Sequence, residues 1–211
     1  MQAQFVLVSP TGQSFDEIAA ALENVQNWNP RMNPTYANSQ KAVHWVIFLL
    51  VIGLYGLTYV VDIFPRGDPG RAFVWWLHIS FGLLLFMLVV VRIGLRLALG
   101  TPGLPLEMSQ LERLLAKVAH LLLYALLVAI PVLGILLTWY RGDALSFFGL
   151  FTIPAPVSAD RATAGFIREL HSLCANLILI LAGLHAVAAL WHHYVWKDDV
   201  LKRMLPVTRG S

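Results

Sequence analysis

The chain has 211 residues, 58% of them hydrophobic and only 13% charged, with a formal net charge of +3 and a calculated pI near 9.2. Soluble domains carry about a quarter charged residues, so this composition argues against a water-soluble fold. No basic run is dense enough for a nucleic-acid surface, which leaves no nucleic-acid partner. Cys174 is the single cysteine. It rules out an intramolecular disulfide and a zinc-thiolate cluster, and no C-x-x-C-H is present for a covalent haem. Inside an apolar helix it reads as packing.

Taken in chain order, residues 1–35 form an N-terminal extension with no identifiable chemistry. Ser14 and Glu17 have capping-box spacing, and Ile18–Val25 reads as a short helix broken by Asn29-Pro30 and Asn33-Pro34. Met32 offers an alternative start. Four windows then contain no Asp, Glu, Lys or Arg: Ala42–Val61, Ala72–Val91, Val118–Tyr140 and Leu170–Trp196. Each is long enough to span a bilayer as a helix, which takes about 20 residues. Asp62–Arg71 is a tight turn rich in Pro and Gly. Arg92–Lys117 follows the second span, and Arg141–Glu169, with Pro154 and Pro156, follows the third. Ser158 or Asp160 can cap the fourth helix, which therefore starts before its charge-free window. The main domain covers residues 36–206, followed by a short tail, 207–211.

Lys and Arg number ten in the segments beside the termini and the second connection, against five in the other two connections. The positive-inside rule then places both termini in the cytoplasm. The expected fold is all-α: an integral membrane bundle of four antiparallel helices, embedded in lipid, with both termini cytoplasmic. Trp and Tyr residues cluster at the span ends as interfacial anchors.

All seven histidines lie inside the four windows, with at least one on each span. Polar groups in hydrocarbon are costly and mark function or partnership. With the termini inside, only His78 and His171 belong to the outer half. His44, His120, His185, His192 and His193 belong to the inner half. His171 and His185 are fourteen residues apart, so they share one face of a helix at a rise of about 21 Å. Paired histidines without thiolates or carboxylates suit the two axial positions of haem iron better than zinc. With both positions filled, electron transfer is the expected role. Gly82, one turn after His78, and Gly183, two residues before His185, offer flat backbone to a haem or to a neighbouring helix.

The combination Tyr36-x3-Gln40-Lys41-x2-His44-Trp45, His78-x-Ser80-x-Gly82, Arg92-x3-Arg96, His120-x3-Tyr124, Pro131-x2-Gly134, Gly183-Leu-His185-Ala and His192-His193-x3-Lys197-Asp198 resembles the bacterial cytochrome b561 family. The resemblance runs from about Tyr36 to Pro206. Trp139-Tyr-Arg-Gly142 and Phe148-Gly149 look most like its superoxide oxidase branch. It implies two haems b, one with His44 and His185 as iron ligands and the other with His78 and His171. His120 then becomes a hydrogen-bond donor to a propionate or quinone, or a bond to a neighbouring helix.

For that branch the resemblance implies oxidation of periplasmic superoxide and reduction of ubiquinone, in the bacterial inner membrane. Arg66, Arg71, Arg141, Arg161 and Arg168 can attract superoxide. Five carboxylates share their segments, so the loops by sequence alone do not make a funnel. His192, His193 and Lys197 are candidate quinone contacts, with interfacial snorkelling as the alternative. The main rival is a di-haem subunit relaying electrons between the quinone pool and a periplasmic redox protein. A haem-free structural bundle is the third reading.

Overall fold

The computed structural model describes Asp16, residues 35–103 and residues 108–206. The expected extension 1–35, with its short helix and Met32, lies outside the described residues except for Asp16 and Thr35, as does the tail 207–211. The expected spans correspond to four helices: α1 (Asn38–Val60), α2 (Pro69–Leu99), α3 (Gln110–Tyr140) and α4 (Arg161–Trp191). All four are long and apolar enough to cross a membrane. Thirty-one residues rise about 46 Å, well beyond the ~30 Å hydrocarbon core, so α2, α3 and α4 project into the interfaces.

Local chemistry sets the helix starts. Asp68 accepts from the Gly70 N–H at 2.6 Å, and Pro69 occupies the first helical position of α2. Ser109 and Glu112 form a reciprocal capping box at α3. Asp160 caps α4 through the Ala162 N–H at 3.0 Å, so α4 does begin nine residues before its charge-free window. At the far end of α2, Gly100 sits at φ 68°, a conformation glycine adopts without strain.

The core lies between α1 and α2, where Ile47, Leu54, Leu85 and Val89 form a buried cluster. Many other large apolar side chains are exposed, among them Leu49, Leu97, Leu121 and Leu184, as expected of surface that faces lipid. Helix α3 packs closely along α4, and α2 meets α3, whereas α4 stands off from both α1 and α2.

One end of the bundle brings together the start of α1 and the segment that follows α4. The Tyr36 N–H donates to the Arg203 carbonyl at 3.2 Å, and Trp45 Nε1 donates to the Met204 carbonyl at 3.0 Å. Arg203 also reaches the Gly103 carbonyl at 2.7 Å, so the α2–α3 connection joins this termini end. At the opposite end the all-α expectation needs one addition. Strands β1 (Leu145–Phe147) and β2 (Phe151–Ile153) pair antiparallel, Leu145 opposite Ile153. Phe148 and Gly149 turn the hairpin at φ 49° and 74°. The fully buried Ser80 of α2 fastens it, donating to the Ser146 carbonyl and accepting from the Phe148 N–H, both at 3.1 Å.

Candidate functional site

The histidines fall into two tiers along the bundle. At the hairpin end, His78 of α2 and His171 of α4 face each other with ring centroids 6.4 Å apart and planes at 66°. With metal–nitrogen bonds of about 2 Å, two imidazoles on opposite sides of one metal have centroids roughly 6 Å apart. The observed spacing fits that arrangement and is too long for direct hydrogen bonding between the rings.

His171 is already oriented. Its Nδ1 donates to the Ile130 carbonyl at 3.0 Å. A carbonyl can only accept, so the proton resides on Nδ1 and the Nε2 lone pair is free. Ile130 immediately precedes Pro131, whose ring interrupts the α3 hydrogen-bond ladder at this turn. The Leu54 carbonyl lies near the His78 ring, yet His78 Nδ1 is buried without a completed hydrogen bond. Gly134 supplies room: a Cβ there would meet His171 Cε1 at 3.3 Å. In the sequence Gly134 stands out only through the Pro131-x2-Gly134 spacing. Its role depends on the ring lying over it, which sequence spacing does not reveal.

Both histidines line a cavity of about 1140 Å³ whose lining reaches the hairpin end at Arg66, Arg141 and Leu145. That is at or above the ~300–1,000 Å³ typical of small-molecule sites and suits a large planar group. All five arginines of this end, Arg66, Arg71, Arg141, Arg161 and Arg168, line it, and among the described residues Asp143 is the one carboxylate that does. The near-neutral loop charge counted along the sequence is thus unevenly placed in the fold. Asp68 and Asp160 are turned back as helix caps, and Asp62 pairs with Arg71 at 3.3 Å. Arg66, Arg161 and Arg168 make no ion pair among the described residues.

At the termini end the structure assembles three histidines. His120 and His185 are in ring contact at 5.3 Å and 74°. His44 lies within electrostatic reach of both, its ring edge against Trp45 at 5.4 Å. The closest ring pair is thus His120–His185 rather than His44–His185. His120 Nδ1 bonds to the Ala116 carbonyl of its own helix at 2.6 Å, not to a neighbouring helix. Gly82 and Gly183 both have open space where a Cβ would project, with no described atom of another element within 4 Å.

Beyond α4 the chain makes a π-helical turn, His192–Trp196, and ends it at Lys197 in the left-handed region at φ 55°. His192 Nδ1 bonds Asp198 Oδ2 at 2.5 Å, and its ring meets Trp196 edge-on at 4.5 Å. His193 Nδ1 is buried and unpartnered, and Lys197 is exposed. Asp198 is a functional candidate that the sequence reading left unassigned. Its signal is a carboxylate six residues after a histidine, which only this turn brings together.

The profile of the prokaryotic cytochrome b561 family matches residues 35–207. A protein named probable superoxide oxidase CybB, from Yersinia pestis, is 36% identical over 182 residues, covering 85% of this chain and all of that one. Cytochrome b561 homolog 2 of Escherichia coli strain K12 is 36% identical over 170 residues, 81% of this chain and 90% of its own. Cytochrome b562 of Cereibacter sphaeroides is 32% identical over 176 residues, 82% of this chain and 96% of its own. Such a family implies haem b and electron transfer, which the His78–His171 spacing fits. With four membrane-length helices, this is a multi-pass protein of the bacterial inner membrane. The chain belongs to the prokaryotic cytochrome b561 family.

Proposed function

We propose that the protein is a superoxide:ubiquinone oxidoreductase holding two haems b. His78 and His171 would hold one haem at the hairpin end, His44 and His185 the other at the termini end. Haem, when bound, supplies one-electron carriers between the two ends of the bundle. In the net reaction, two superoxide anions each lose one electron to become dioxygen, and ubiquinone gains two electrons and two protons to become ubiquinol.

The observation that carries this reading is the convergence of five arginines and a single aspartate on the cavity that contains His78 and His171. Even with Arg71 paired to Asp62 and Arg141 to Asp143, the cleft keeps an excess of positive charge, which concentrates a small anion and raises its rate of arrival. The excess of Lys and Arg at the termini end supports a cytoplasmic orientation for that end, which turns the arginine cavity to the periplasm. The termini end then receives quinone from the lipid. There Lys197 and the His192–Asp198 pair are placed to move protons, the carboxylate holding the His192 proton on Nδ1.

A relay subunit serving a periplasmic redox protein is favoured by a different feature. Leu150, Phe151 and Ile153 of the hairpin are exposed and offer an apolar docking face. Purified holoprotein separates the two readings. Superoxide should reduce the b-type bands and ubiquinone should discharge them. Bands that dithionite reduces but superoxide leaves oxidised would select the relay.

A further inference from the structure

Arg92 and Arg96, one turn apart on α2, lie against the same Tyr124 ring, their Cζ atoms 5.6 and 5.5 Å from its centroid. Two like charges sharing one ring repel each other, and a ring quadrupole is a weak substitute for a counter-ion. Among the described residues neither arginine makes an ion pair. The described carboxylates of this end are engaged elsewhere: Glu112 at the Ser109 N–H, Asp198 at His192, Asp199 at Lys202. Among the described residues Arg92 bonds the Gln40 carbonyl alone, at 3.5 Å. Yet Arg92 is felt electrostatically by His44, His120 and His185 alike, so it stands beside the whole inner tier. Tyr36 closes the corner, a phenol whose pKa burial raises and the nearby Arg96 and Arg92 partly restore.

We propose that Arg92 and Arg96 form an anion seat for the propionate carboxylates of the haem held by the inner histidines. The inference rests on the two-haem reading above. Paired guanidiniums recognise carboxylates through short, charge-assisted hydrogen bonds, and their planar forks fix the edge of the macrocycle. Gln40 braces the corner by donating to the Leu95 and Gly100 carbonyls, which ties α1 to the end of α2. The seat also sets the inner iron's affinity for an electron. Positive charge beside it favours the reduced state, so the inner site gains driving force as acceptor from the outer one.

The test is an optical redox titration of holoprotein in detergent, comparing wild type, Arg92→Gln/Arg96→Gln and Arg92→Lys/Arg96→Lys. The Gln variant should lower one of two midpoint potentials, or lose one haem per chain, while the other haem is unmoved. The Lys variant, which keeps both charges, should restore most of the shift. The seat is overturned if both midpoints in the Gln variant match wild type, or if the Lys variant shifts as far. An anionic lipid phosphate is the other carrier of this chemistry. Unmoved midpoints with loss of co-purifying lipid phosphorus would assign the arginines to lipid and overturn the seat. A wild type with fewer than two midpoints would instead sink the two-haem reading itself.

Discussion

His171 Nδ1 donates to the Ile130 carbonyl while the His171 ring stands 6.4 Å from that of His78. The first contact fixes the tautomer of the second, so the hairpin-end pair has one histidine already presenting Nε2. Exchanging the His171 side chain for Gln removes both roles. His171→Gln should lose one haem and leave the other spectrum intact, read by low-temperature absorption of the reduced protein.

Gly134 predicts a finer effect at the same ring. An alanine Cβ would sit 3.3 Å from His171 Cε1, closer than ordinary contact. Gly134→Ala should turn or push the ring, at a cost of about 1–3 kcal/mol by analogy with overpacked cores. Haem should be retained with an altered electron paramagnetic resonance signal for one centre; an unchanged signal would mean that the ring yields freely.

Ser80 joins the hairpin to α2 two residues from His78. Ser80→Ala would leave the Phe148 N–H and the Ser146 carbonyl without their partner in a buried setting. Each orphaned group costs about 1–3 kcal/mol, so thermal unfolding should fall by several degrees. Hydrogen exchange should quicken at Phe148 before it does in the helices.

The arginine cavity predicts a rate that depends on salt. Arg161→Gln/Arg168→Gln should slow superoxide-driven reduction by roughly ten-fold at low ionic strength, with a flatter salt dependence. Asp143→Asn should act in the opposite direction. Stopped-flow absorbance at two ionic strengths reads both; equal rates in all three proteins would remove the steering role.

Asp160 supplies a pH dependence. Its hydrogen bond from the Thr163 hydroxyl, with those from the Ala162 and Thr163 N–H groups, holds its carboxyl below the ordinary value. A depressed folded pKa means the cap strengthens folding above the unfolded value of about 3.9 and is lost as pH falls through the folded one. Amide exchange at Ala162 and Thr163 should therefore accelerate below about pH 4, and Asp160→Asn should flatten that dependence.

The four spans were legible because a bilayer tolerates charge poorly, so the helices announce themselves as charge-free windows. His78 and His171 were legible by depth alone, since no other histidine lies in that half. What escaped was tertiary. Strands of three residues leave too little alternation to read, so the hairpin and its Ser80 anchor were missed. Arginines and carboxylates alternate along the loops, and only capping and pairing turn Asp62, Asp68 and Asp160 away from the cavity. At the other end, depth left five histidines in one group. The fold narrows them to His44, His120 and His185, and it sends His192 to Asp198.

The most direct test of the account is haem b stoichiometry by pyridine haemochrome, set against quantitative amino-acid analysis, for wild type and His78→Leu. Two haems per chain falling to one is the predicted result. One haem in wild type, or two in the variant, would contradict the two-tier site.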